Sequence, residues 1–262
     1  MILERRFRDR QLFVDLVQRQ WTSGLTQSSV GWLWLILTPL LLLGVYAFVF
    51  GTIFQARAPE DLDVPFVAWL AVALWPWLAF SDGVLKGSEA IRNHSALIAK
   101  VAVPRVLLAA STQTASFVLQ LTGYLIVLLA LAVLGVELSL QSLPYVLLLL
   151  ASLYLFSLGL ALLLCAVQVF VRDLEQLLPT LFMFWFFLTP ILYAPALLPP
   201  GMARWLNLNP MTWWMEEIRA ALFAGKWLPD LIFFVLLAVA LSTLWIGKLV
   251  FDRLSPHFED FL

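Results

Sequence analysis

The chain has 262 residues, 62% of them hydrophobic and 13% charged, with a net charge of −1 and a mean hydropathy of +0.92. Soluble domains are about half apolar and about a quarter charged, so this composition excludes one and points to an integral membrane protein. A single cysteine, Cys165, excludes an internal disulfide, and the two histidines, His94 and His257, lie far apart in charged segments.

The N-terminal stretch "RDRQLFVDLVQRQW" reads as an amphipathic helix over about 8–22. Leu12, Phe13, Leu16, Val17 and Trp21 share one face, and Gln11, Asp15, Gln18 and Arg19 share the other. With arginines before it, the pattern suits a helix lying in the membrane interface or packed on a soluble partner. After "SGLTQSS", a first span is expected over about 30–54, kinked at Pro39. It begins too late to be a cleaved leader, so none is expected. Further spans are expected over about 64–85, 106–134, 143–171, 177–193 and 231–250. The charged stretch 86–105 lies between spans two and three, and "RDLEQ" makes a tight turn before span five. The whole chain reads as a single all-α transmembrane domain, with no internal repeat.

An even number of spans puts both termini on one side. That side collects 12 of the 16 Lys and Arg residues, so the positive-inside rule makes it the cytoplasm. The stretch "NPMTWWMEEIRAALFAG" then falls outside, between spans five and six. Asn209 suits a helix cap, Pro210 the first helical position and Gly225 the end. About fifteen residues give about 22 Å, short of a ~30 Å hydrocarbon core. With the preceding "PALLPPGMARWLNL", two readings stand: a re-entrant hairpin over about 195–225, or an amphipathic helix resting on the outer leaflet. In the first, Glu216, Glu217 and Arg219 face each other or water, Glu216 pairs with Arg219 three residues on, and Trp213 and Trp214 close an outer mouth.

No phosphate-binding loop, catalytic constellation or metal spacing appears, so no catalytic residue, metal or bound cofactor is expected in this chain. Nothing implies a nucleic-acid partner.

Four stretches, "SSVGWLWLILTPL", "LIAKVAVPRVLL", "RDLEQLLPTLFMFWFFLTPILYAP" and "NPMTWWMEEIRAALF", are spread over nearly the whole chain. With the order of elements, they resemble the type-2 ABC exporter permeases, and more narrowly those exporting lipid-linked polysaccharide: O antigen, capsule or teichoic acid. The resemblance implies a homodimer in the bacterial inner membrane, with two copies of a cytoplasmic ABC ATPase that bind the ATP and Mg. It implies an undecaprenyl-diphosphate-linked polymer as cargo. It makes 86–105 a segment seated in the ATPase, with Glu89, Arg92 and Lys100 as partner-facing charges. Arg5, Arg6, Arg8, Arg10 and Arg19 become candidates for capturing the lipid diphosphate; the stretch before the first span, usually basic in such permeases, is uncharged here. Spans one and five would line a conduit at the two-fold axis. The aromatics Trp32, Tyr46, Trp75, Trp77, Phe182, Trp185 and Phe186 would offer stacking faces to sliding sugars. A type-2 exporter of drugs or lipids and a non-transporting membrane scaffold are the alternative readings.

Overall fold

The computed structural model describes residues 2–26, 31–55, 58–59, 64–95, 103–195, 201 and 205–260. Among these there is no strand, and helices make nearly all of the structure. Helix α1 covers Ile2–Thr26, α2 Gly31–Tyr46, α3 Phe66–Asn93, α4 Arg105–Val133, α5 Leu143–Phe170, α6 Leu174–Leu188, α7 Pro210–Ala224 and α8 Leu231–Leu254. The backbone of α2 runs on as a π-helical stretch, Ala47–Ile53, and α8 ends in a tighter turn, Ser255–Asp260.

Five helices are long and apolar enough to cross a membrane: Leu33–Ile53, Phe66–Asn93, Arg105–Val133, Leu140–Phe170 and Leu231–Phe258. Most of their bounds follow the hydropathy of the sequence; the last span runs past its expected end near residue 250 to Phe258, and two further differences stand out. The second span does not stop near residue 85. It continues helically to Asn93, because Lys86 pairs one turn back with Asp82 at 2.9 Å while Gly87, Ser88, Ala90 and Ile91 are buried. In place of the fifth expected span, 177–193, stands a shorter and earlier helix that is not among the five. Helix α6 is 15 residues, about 22 Å, and leaves helical geometry at Thr189 before Pro190.

Helix α3 is the axis of the bundle. Its most apolar window is 83% buried, against 11% for the first span and 22% for the last. It packs mainly on α4 and α5, while α8 packs on the far side of α5. Because lipid is as apolar as leucine, such contacts depend on close fit and on interhelical hydrogen bonds. The fit comes from small residues. A Cβ on Gly87 would lie 2.9 Å from the Cβ atoms of both Ala161 and Gln113. Gly159 of α5 meets α8 backbone to backbone: an added Cβ there would lie 2.5 Å from the Cα of Leu244, and one on Gly247 would strike the Gly159 carbonyl. The hydrogen bonds come from buried polar side chains. Gln113 donates to Ser157 at 2.9 Å, and Thr114 and Tyr154 bond at 2.8 Å.

Proline at position 76 removes the N–H that would have bonded the Val72 carbonyl. The phenol of Tyr124 on α4 donates to that carbonyl instead, at 3.1 Å. The proline therefore comes with its own repair, and the repair ties α3 to α4.

The bundle has two ends. One carries α1, the last turns of α3, α5 and α8, and the first turn of α6. There Arg92 forms an ion pair with Glu175, and Arg105 donates to the Ser255 carbonyl. The other end carries α7. Substituting Gly159 by alanine is expected to cost about 1–3 kcal/mol through overpacking. Gly44, with nothing within 4 Å, should accept alanine without loss. Thermal unfolding in detergent checks both; equal melting temperatures for the two variants would mean that α5 and α8 do not approach this closely.

Candidate functional site

The opening turn of α7 is fixed by Asn209. Its side-chain oxygen accepts from the Met211 backbone N–H at 3.1 Å, capping the helix, and from the Trp185 indole at 2.9 Å. Its amide nitrogen donates to the Leu188 carbonyl at 3.2 Å and the Thr189 hydroxyl at 2.9 Å. One asparagine therefore caps α7 and closes the unwound end of α6 together. Gly225 ends α7 in the left-handed region, at φ 69°, where glycine carries no Cβ strain.

Arg219 is the keystone of this end. It is 5% exposed. Its Nε donates to the Trp69 carbonyl at 3.1 Å, Nη1 to the Pro190 carbonyl at 2.7 Å and Nη2 to the Ile191 carbonyl at 3.1 Å. The guanidinium carbon lies 3.4 Å from the centre of the Trp69 ring. Burial pulls its pKa below the ordinary arginine value, and the nearby Glu216 carboxylate opposes that. The expected pairing with Glu216 on the helix surface is replaced by these backbone acceptors. The carbonyls after α6 have no helical partner, and a planar fork of donors reaches several at once.

Glu217 is also inside, at 5% exposed, not on a wet face as expected. It accepts from Tyr145 of α5 at 2.7 Å and from Lys226 at 2.7 and 2.8 Å. Lys226 also bonds Asp230 at 2.7 Å, and Asp230 caps α8 by accepting from Ile232 and Phe233 at 3.1 and 3.3 Å. The hydrogen bond from Lys226 holds the Asp230 carboxyl below the usual aspartate range. Nothing in the sequence signals this network beyond the presence of its charges. Lys226 stands nine residues from Glu217, outside helical spacing.

The aromatic candidates divide by burial. Trp75, Trp77 and Phe182 are 2%, 3% and 6% exposed. They lie within the protomer's core and not on a surface open to a passing chain. Trp214 is wholly buried, stacked on Phe156 with centroids 4.9 Å apart and donating to Ser152 at 2.9 Å, so it anchors α7 and closes no mouth. Tyr46, Trp185, Phe186 and Trp213 remain partly exposed. Tyr46 stacks on Phe50, and Trp185 meets Phe80 edge-on at 5.3 Å. Trp213 donates to the Asn207 carbonyl at 3.0 Å and borders an apolar pocket of about 350 Å³ against Leu231, Ile232 and Val235 of α8.

At the opposite end, Glu89 and Arg92 are partly exposed on the last turns of α3, and Arg10 and Arg19 are exposed on α1. The side chains of Arg5, Arg6, Arg8 and Trp32, and all of Lys100, lie outside the described residues.

The charge-preserving change Arg219→Lys leaves one ammonium to serve three carbonyls. Each hydrogen bond not remade should cost about 1.5–3 kcal/mol, read as lower thermal stability and faster proteolysis between residues 189 and 225. Wild-type stability would sink the keystone role. Asp230, with its depressed folded pKa, contributes stability that is full above the ordinary aspartate range and is lost as pH falls through the folded value. Proteolysis at the α7–α8 junction should therefore rise only below about pH 4, and Asp230→Asn should abolish that acid step.

This arrangement has relatives. Residues 11–223 match the family described as ABC-2 type transporter. The chain is 31% identical over 260 residues to the O-antigen export system permease protein RfbA of Myxococcus xanthus, covering 96% of this chain and 95% of that one. Two proteins of the same description from Klebsiella pneumoniae are 24% and 23% identical, each over 251 residues and 96% of this chain. A family match across most of the chain and end-to-end similarity to the Myxococcus permease agree with the apolar helical bundle: the chain belongs to the ABC-2 type transporter family.

Proposed function

We propose that this chain is the membrane subunit of an ATP-driven exporter of lipid-linked polysaccharide of the O-antigen class, working in the bacterial inner membrane. The end-to-end similarity to O-antigen export permeases carries the reading. ATP hydrolysis belongs to a separate cytoplasmic ATPase, with two copies serving a homodimer of this chain. Both termini are cytoplasmic, so the α1 end of the bundle faces the ATPase and the α7 end faces outward.

In this reading Glu89 and Arg92, with Lys100, are the charges that meet the ATPase. Arg92 already pairs with Glu175 at the head of α6, so a push on the end of α3 reaches α6 directly. Helix α6 and the first span present exposed apolar side chains, including Leu41, Val45, Phe48, Met183 and Phe184. Those faces meet lipid or the second protomer. Tyr46, Trp185 and Phe186 are the conduit aromatics that keep an accessible edge. A pyranose offers C–H faces to aromatic rings with few fixed hydrogen bonds, which suits a polymer that must slide. Segment 195–225 is a re-entrant hairpin that roofs the conduit, with α7 as its returning helix. Arg10 and Arg19, with Arg5, Arg6 and Arg8, stand where a diphosphate in the inner leaflet can be met by paired N–H donors.

Deletion of the gene should leave full-length polymer on the cytoplasmic side, and expression of the chain should restore surface polymer. Unchanged surface polymer after deletion would overturn the reading. Charge reversal at Arg92 should uncouple ATPase activity from export while the complex still assembles. If hydrolysis and export both persist, Arg92 has no part in coupling.

A further inference from the structure

An intramembrane carboxylate is expensive unless it is paired or wet, and Asp82 sits 16 residues into a candidate span, about 24 Å along α3 from Phe66. It accepts from Lys86 at 2.9 Å, from Ser116 at 2.5 Å and from Gln120 at 3.3 Å. These partners satisfy it without covering it: the Asp82 side chain is 26% exposed and that of Lys86 52%. Gln120 is partly exposed as well.

Thr112, Ser116 and Gln120 recur every fourth residue, so they form one polar stripe along α4. The stripe is closed at both ends. At the foot, Gln20 of α1 donates to Thr112 at 2.7 Å. At the head, Pro39 of α2 lies 3.6 Å from where a Cβ on Gly123 would be. From Thr112 to Gly123 is about 16 Å of helix. Over that length the stripe borders Asp82 of α3, with α1 at its foot and α2 at its head. Next to Gln20, Trp21 buries its indole N–H with no acceptor. A lipid-facing span gains nothing from a half-covered carboxylate, an amide and an ammonium. Such groups at membrane depth mark a polar cavity or a polar ligand.

We propose that this partly exposed polar stripe is a carbohydrate subsite in the cytoplasmic half of the membrane, holding the sugars next to the lipid carrier as the cargo enters. The assignment of sugar as the ligand rests on the polysaccharide-export reading above. The chemistry of the stripe fits a polyol better than a bare anion. Lys86 and Asp82 cancel in charge. The carboxylate accepts from hydroxyls, while the Gln120 amide and the remaining Lys86 protons donate.

The test uses the full chain in lipid nanodiscs. One probe is a radiolabelled polyprenyl diphosphate carrying a disaccharide; the other is the same polyprenyl diphosphate without sugar. The wild type should bind the sugar-bearing probe at least fivefold more tightly. Gln120→Leu and Asp82→Asn should abolish that preference and leave the affinity for the sugarless probe unchanged. Gln120→Leu is the safer variant for folding, since it makes the span more apolar. Equal affinity for both probes in the wild type, or a preference that survives both changes, overturns the subsite and leaves the export reading standing. Failure of the wild type to bind either probe, together with normal surface polymer after gene deletion, overturns both.

Discussion

Lipid supplies no hydrogen bonds, so the polar groups this chain carries into the bundle are met mostly by partners within the protein. That constraint explains most of what is unusual here. Where Pro76 strips an N–H from α3, Tyr124 donates to the stranded carbonyl. Where α6 unwinds before Pro190, Asn209 and Arg219 take up the carbonyls of Leu188, Pro190 and Ile191. Each break in a helix is matched by a side chain from another helix. Irregular backbone thereby becomes a cross-link.

The α7 end concentrates these devices. This short helix buries an apolar face of Met211, Trp214, Met215, Ile218 and Leu222, and it adds four polar anchors. Asn209 binds its start to α6, Trp214 its middle to α5, Arg219 its inner face to α3, and Glu217 its outer half to α5 and α8 through Tyr145 and Lys226. Buried charges of this kind are weak sources of net stability but strong sources of specificity of position. The helix is held in one position and one rotation against α3, α5 and α6.

The long spans were legible because hydropathy reports lipid burial directly. Their ends were less legible where charge and burial conflict: Lys86 reads as a loop residue, yet α3 continues past it because Asp82 neutralises it and Gly87, Ser88, Ala90 and Ile91 on another face are buried. The caps of α7 were legible as well, since Asn209, Pro210 and Gly225 act through local backbone geometry. The partners of Glu217 and Arg219 were not. Helical spacing pointed Arg219 to Glu216, whereas the actual acceptors are carbonyls 150, 29 and 28 residues away, and no local pattern encodes them. Aromatic richness likewise could not separate a lining ring from a packing one. Trp75, Trp77 and Trp185 look alike in sequence and differ only in how many helices surround them.

The backbone contact between Gly159 and Gly247 has a mechanical consequence. Helices that touch main chain to main chain cannot slide without collision, so α5 and α8 move as one plate, and α3 and α4 are keyed to it through Gly87 and the bond between Gln113 and Ser157. The first span has no such key, being mostly exposed along its length, and much of the surface of α6 is exposed too. Strain applied at the α1 end therefore divides unequally. The plate transmits it as a rigid lever, while the two loosely held helices act as the compliant parts, exchanging side-chain contacts for lipid contacts of nearly equal energy. Stiffness in this fold is set by where glycine lets backbones meet, and shape change is confined to where it does not.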